Sequence, residues 1–128
     1  MREFILSVAI FCLGGTICKL QAQSITNKCW KSYIGAPIND TAFFYIYRDS
    51  SIITNSKGDV MVRQHCTING DTLTILDFGT EEQGCTNIKG MYQINFADDG
   101  FNLSLINDPC EGRSQAFTGR KWMEAKKK

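Results

Sequence analysis

From Met91 to Leu105 the chain alternates apolar and polar residues with a period of two, and this pattern confines it to half-buried antiparallel sheet. Tyr92, Ile94 and Phe96 share one face, with Gln93 and Asn95 opposite. After the turn Ala97-Asp98-Asp99-Gly100, Phe101, Leu103 and Leu105 share a face against Asn102 and Ser104. A lone two-stranded unit is marginal in water, so this hairpin needs further strands to cover its apolar side.

The sequence supplies them. Cys29–Ile34 reads as a short first strand closed by Gly35 and Pro37, and Ala42–Tyr47 is aromatic and β-branched, a composition that suits a pleated, half-buried surface. Ser51–Thr54, Val60–Cys66 and Thr72–Phe78 follow, separated by Asn55–Asp59 and by Asn69-Gly70, a strong hairpin signal expected to form the centre of a type I′ turn. A last strand is expected within Ala116–Met123, and segment 111–117 has room for one helical turn. About eight short, regularly spaced strands with no long amphipathic helix make the fold class all-β, a closed barrel or sandwich and not a parallel sheet. Closure has a physical motive, since an open sheet would present unpaired edges to other chains.

The first 22 residues are read as a cleaved signal peptide, leaving 23–128 as one barrel domain. Fifteen residues without a charge, Phe4 to Cys18, would span roughly 22 Å as a helix, short of the ~30 Å that a membrane span must cover. Removing Arg2 and Lys19 from fourteen basic residues, and Glu3 from thirteen acidic ones, leaves twelve of each. A neutral mature chain offers no long-range pull on nucleic acid, and no stable membrane span is expected. Four cysteines remain, Cys29, Cys66, Cys85 and Cys110, and an exported chain with an even count is expected to form disulfides in any of three pairings. That places the protein in a secreted or periplasmic setting.

Groups suited to catalysis are few. His65 is the sole histidine, and on a strand it points away from Gln64 and Cys66, so an adjacent Cys-His pair cannot meet. Glu81-Glu82 and Asp98-Asp99 lie in turns and read as solvated acids. No C-x-x-C pair supports a metal site, and no phosphate-binding loop or cofactor motif is present. The expectation is therefore a non-enzyme without cofactor or metal. Asp108-x-Cys110-x-x-Arg113, together with Trp30 and Trp122, reads as a structural plug at one barrel end, with Arg113 or Arg120 over the Trp30 ring.

An early Trp strand, a run of hairpins and a C-terminal Arg resemble the lipocalin-like (calycin) barrels. Cys85, Gly90-x-Tyr92, Leu103-x-Leu105, Asp108-x-Cys110-x-x-Arg113 and Trp122 are similar to small exported lipocalin-like domains of bacteria. The resemblance runs from Cys29 to Trp122, with Lys28 where the family's G-x-W motif has glycine. It implies an eight-stranded antiparallel up-and-down barrel, a Cys85–Cys110 disulfide with Cys29–Cys66 as the remaining pair, and affinity for a small hydrophobic molecule. Phe44, Ile46, Tyr92, Ile94, Phe96, Leu103 and Leu105 are the residues it implies as lining, and they are equally candidates for a filled core.

Two functions compete. One is an exported binding protein for a small hydrophobic ligand. The other is a solid, stapled barrel acting as an interaction, inhibitor or envelope module through loops 35–41, 55–59 and 79–89. An enzyme built on His65 or Glu81-Glu82 is a weaker third, requiring those groups to converge in one cleft.

Overall fold

A computed structural model describes residues 25–79 and 85–126. Its strands are β1 (Lys28–Ile34), β2 (Asp40–Ile46), β3 (Ser50–Thr54), β4 (Val60–Asn69), β5 (Thr72–Phe78), β6 (Lys89–Ala97), β7 (Gly100–Asn107) and β8 (Lys121–Glu124). Each pairs antiparallel with its sequence neighbour, and β8 returns to β1, closing an up-and-down barrel. One short helix, α1 (Glu111–Phe117), precedes β8.

The period-two reading holds around the wall. Trp30 and Ile34 of β1, Phe44 and Ile46 of β2, Val62 and Cys66 of β4, and Leu73 and Ile75 of β5 are buried on the inside. Alternate residues such as Lys31, Arg63 and His65 are exposed. The Asn69-Gly70 signal is displaced by one residue: Asn69 pairs with Thr72, so the turn centre is Gly70-Asp71, and among the turn residues only Gly70 has positive φ, 65°. Glycine first in a two-residue loop is the II′ arrangement, which also follows the strand twist. The expected strand within Ala116–Met123 is shorter than anticipated, because α1 runs to Phe117 and β8 begins at Lys121.

The two barrel ends differ. Loops 35–39, 55–59, the approach to β6 and α1 gather at one end, here called the helix end. The opposite end is stoppered by Ile25, 1% exposed, whose carbonyl accepts a 3.0 Å hydrogen bond from Trp30 Nε1. Between them the interior is largely aromatic. Trp30 meets Phe101 edge to face at 4.9 Å, and Phe117 enters from α1 to stack on Phe44 at 5.2 Å and to meet Tyr92 at 5.5 Å. Such pairs prefer offset or T-shaped geometry and fill the lower barrel tightly.

The cysteines divide. Cys85 and Cys110 form a disulfide with a Cα–Cα separation of 6.3 Å. Cys29 and Cys66 are free thiols, which overturns the expected second pair. Cys29 lies on the outward face of β1, opposite Tyr45, whereas Cys66 is buried on the inward face of β4. Two strands separate β1 from β4, so the thiols occupy opposite sides of the wall and cannot be bridged.

Candidate functional site

Polar residues in the inward phase gather towards the helix end. On β4 and β5 the alternation that buries Val62 and Leu73 also turns Gln64 and Asp77 inward, at 0% and 2% exposure. Groups buried so far from water must be hydrogen-bonded, and these form a chain. Ser51 Oγ donates to Gln64 Oε1 at 2.8 Å, and Gln64 Nε2 donates to Asp77 Oδ1 at 2.8 Å. The Cys85 backbone N–H donates to Asp77 Oδ2 at 2.7 Å.

From above, α1 lowers Arg113 onto this chain. Arg113 and Phe117 are four residues apart, so they share the helix face turned into the barrel. The guanidinium grips Asp108 with two parallel bonds, Nε to Oδ2 and Nη2 to Oδ1, both 2.7 Å. Nη2 also donates to the Ile88 carbonyl at 2.7 Å, and Nη1 lies 3.1 Å from Asp77 Oδ1. Tyr92 donates its hydroxyl to Asp108 Oδ2, and the Cys110 N–H donates to Asp108 Oδ1 at 2.9 Å. Each cysteine of the disulfide thus offers its backbone N–H to one of the two aspartates flanking Arg113.

The titration directions follow from this packing. Burial opposes ionisation of Asp108, but the hydrogen bonds from Arg113 and Tyr92 overcome it and hold its carboxyl below the ordinary range. Burial and the neighbouring Asp108 push the Tyr92 phenol well above its usual value. Burial alone would weaken the Arg113 charge, and Asp108 and Asp77 more than restore it. Gly90 leaves space for the arrangement, since a Cβ there would lie 2.6 Å from Asp108 Oδ2.

Above this floor opens a cavity of about 500 Å³ at the helix end. Its apolar walls include Ile34, Ile38, Ile53, Val62, Phe117 and Trp122, and its polar floor includes Gln64, Asp77 and Arg113. Arg120 stands in the lining with its guanidinium held by the Tyr33 carbonyl at 2.5 Å and the Gln115 carbonyl at 3.2 Å. Among the described residues, two buried side-chain nitrogens make no aligned hydrogen bond, Arg113 Nη1, whose ion-pair partner is Asp77, and Arg120 Nε, and both residues line this cavity. An apolar concavity of this size with a few convergent polar groups has the usual form of a small-molecule site.

The residues implied as lining fall elsewhere. Phe44, Ile46, Tyr92, Ile94 and Leu103 are buried in the packed interior and do not face the cavity. Phe96 is 38% exposed at the stoppered end, where it lines a separate, acidic concavity with Ile25, Trp30, Asp98 and Asp99. Leu105 is 53% exposed, opposite Tyr92 where the β6–β7 register shifts at Met91/Tyr92. Asp108 and Arg113 do pair at a barrel end, but not with Trp30. Trp30 lies towards the other end, with Lys28 Nζ 5.9 Å from its ring centroid, so the expected arginine–tryptophan contact is replaced by a lysine one. Trp122 is buried against Phe44 and Phe117 and donates Nε1–H to the Phe117 carbonyl at 3.2 Å.

His65 faces outward, stacked on Phe78 at 4.3 Å, and Glu81 and Glu82 lie outside the described residues. No helix among the described residues is long and apolar enough to cross a membrane. The residues that sequence reasoning missed are Gln64 and Asp77. Their signal was present: each is polar at an inward position of an otherwise apolar strand face. Comparison with protein-family models, curated proteins and solved structures gives no match to this chain.

Proposed function

We propose that this is an exported, lipocalin-like binding protein, not an enzyme, that takes a small hydrophobic molecule into the helix-end cavity. The observation that carries the reading is the cavity itself, about 500 Å³ with apolar walls, left open above an interior packed with aromatic rings. An eight-stranded barrel has just enough interior to be filled or to hold one ligand, and this one is filled below the cavity and open at the helix end. The disulfide beside the site suits an oxidising compartment, secreted or periplasmic, and holds the loop before β6 against the start of α1.

The test is native mass spectrometry of the purified protein beside Val62→Trp, a substitution that fills the cavity from its wall. A co-purified or added apolar molecule that binds the parent and not the folded variant supports the reading. Equal binding to both, or to neither, refutes it.

A second reading, an interaction module, is favoured by the exposed apolar residues Ile38 and Ile88 in helix-end loops and Leu105 and Ile106 near that end of β7. It requires a protein complex that Ile88→Ser with Leu105→Ser dissolves while small-molecule uptake persists. Loss of uptake with the complex intact would sink it.

A further inference from the structure

The floor of the cavity specifies more than apolarity. Resting on the ligand-binding reading above, we infer that the ligand is a neutral, oxygen-bearing apolar molecule, an alcohol or ketone, seated with its oxygen on Arg113 and its hydrocarbon against Ile34, Ile53, Val62 and Phe117. The matching carboxylate and amine are excluded from this seat.

Three observations converge. First, Arg113 Nη1 is buried without an aligned acceptor, although the residue is only 7% exposed and every other donor nitrogen of its guanidinium is used. A buried donor left unmade is costly, so an oxygen acceptor arriving there gains what the protein alone does not supply. Second, the formal charges of Asp77, Asp108 and Arg113 sum to one negative. A carboxylate bound to Nη1 would sit beside Asp77 Oδ1, itself 3.1 Å from that nitrogen, so two like charges would meet away from water. An ammonium would instead face the guanidinium at like charge, and Nη1 would gain no acceptor beyond Asp77. Third, a hydroxyl satisfies both neighbours at once, accepting from Nη1 and donating to Asp77, while a ketone satisfies the first. The walls above are apolar, so the remainder of the molecule is hydrocarbon. Arg120, held by two backbone carbonyls, belongs to the mouth and not to this seat.

Four eight-carbon probes separate the possibilities: 1-octanol, 2-octanone, octanoate and octylamine, titrated at pH 7 into the full protein with calorimetry and Trp122 fluorescence as readouts. The alcohol and ketone should bind at least ~10-fold more tightly than either ion, since like-charge juxtaposition across a buried contact is strongly unfavourable. Asp77→Asn, checked for fold by circular dichroism, should narrow the gap between octanol and octanoate. Arg120→Gln, which leaves the floor intact, should preserve the ranking. Saturable binding with octanoate or octylamine ahead of octanol overturns the head-group assignment and leaves the binding reading standing. Octanoate binding that Arg120→Gln abolishes shows a seat at the mouth and overturns it equally. Binding of none of the four removes the ligand reading itself.

Discussion

Arg113 is the residue on which the helix end depends, because it is the cation paired with two carboxylates that have left water. Removing it strands Asp77 and Asp108 without a cation, and breaking one side of such a buried network costs ~3–5 kcal/mol. Arg113→Met should therefore lower the unfolding free energy from urea titration by that amount, and a loss below about 1 kcal/mol would show that water reaches the pair. Gly90→Ala should act through the same group, since its Cβ would press on Asp108. The pH dependence has a definite sign. Asp108 titrates lower in the folded protein than in the unfolded chain, so its contribution is complete above the unfolded value near ~4 and disappears as pH falls through the folded one. Tyr92 titrates higher when folded, so its contribution is complete below its ordinary value of 10.0 and declines above it. Urea midpoints measured from pH 3 to 11 should show a plateau bounded on both sides. Stability that rises on acidification below pH 4 would contradict the Asp108 assignment. At this scale the Asp108–Arg113 pairing was legible from local spacing. Gln64 and Asp77 were not weighed, because a polar residue in an inward phase reads as an interruption until its partner from a distant strand is known.

At the scale of elements, α1 sets the boundary between packed barrel and open cavity. One helical turn was expected at 111–117, where the helix makes about two, but the strand expected from Ala116 overlapped it, because Ala116 and Phe117 suit either element locally. The arbiter is tertiary: Phe117 gains contact with Phe44, Tyr92 and Trp122 only when the helix carries it inward. Phe117→Ala should cost ~3–5 kcal/mol in stability and enlarge the cavity, and thermal unfolding with probe binding would measure both effects. The disulfide constrains the same element differently, by tying Cys110 at the start of α1 to Cys85 across 25 residues. Cys85→Ser with Cys110→Ser should remove ~2–4 kcal/mol, chiefly through the unfolded chain. Cys29→Ser should change little by comparison. Thiol titration of residues 23–128, unfolded and unreduced, should find Cys29 and Cys66 free, and a bridge between them would contradict their placement on opposite faces.

At the scale of the whole molecule, a closed barrel or sandwich was legible because alternation and edge avoidance are properties of the entire chain, and the resemblance to the calycin barrels chose the barrel. Which end would be open was not, since that depends on where the long connections gather. The same topology locates the weakest line in the wall. Every other seam joins strands that follow one another in sequence, whereas β1 and β8 meet only after the whole chain has turned, so their pairing carries the largest loop-closure cost. Their register is also short: Trp30 with Glu124 and Lys31 with Met123, extended by the Ala125 N–H to the Cys29 carbonyl at 2.9 Å. By contrast β4 and β5 pair continuously from Arg63–Phe78 to Asn69–Thr72. Burial of Trp122 opposes opening, and that anchor lies on the β7 side, opposite Phe101. The seam should therefore part at β1–β8 while β8 remains seated on β7. Amide hydrogen exchange should show Lys31 and Ala125 losing protection before the β4–β5 ladder, through an opening smaller than global unfolding. Simultaneous exchange of all the ladders would mean instead that the aromatic interior binds the wall into one cooperative unit, with no weak seam.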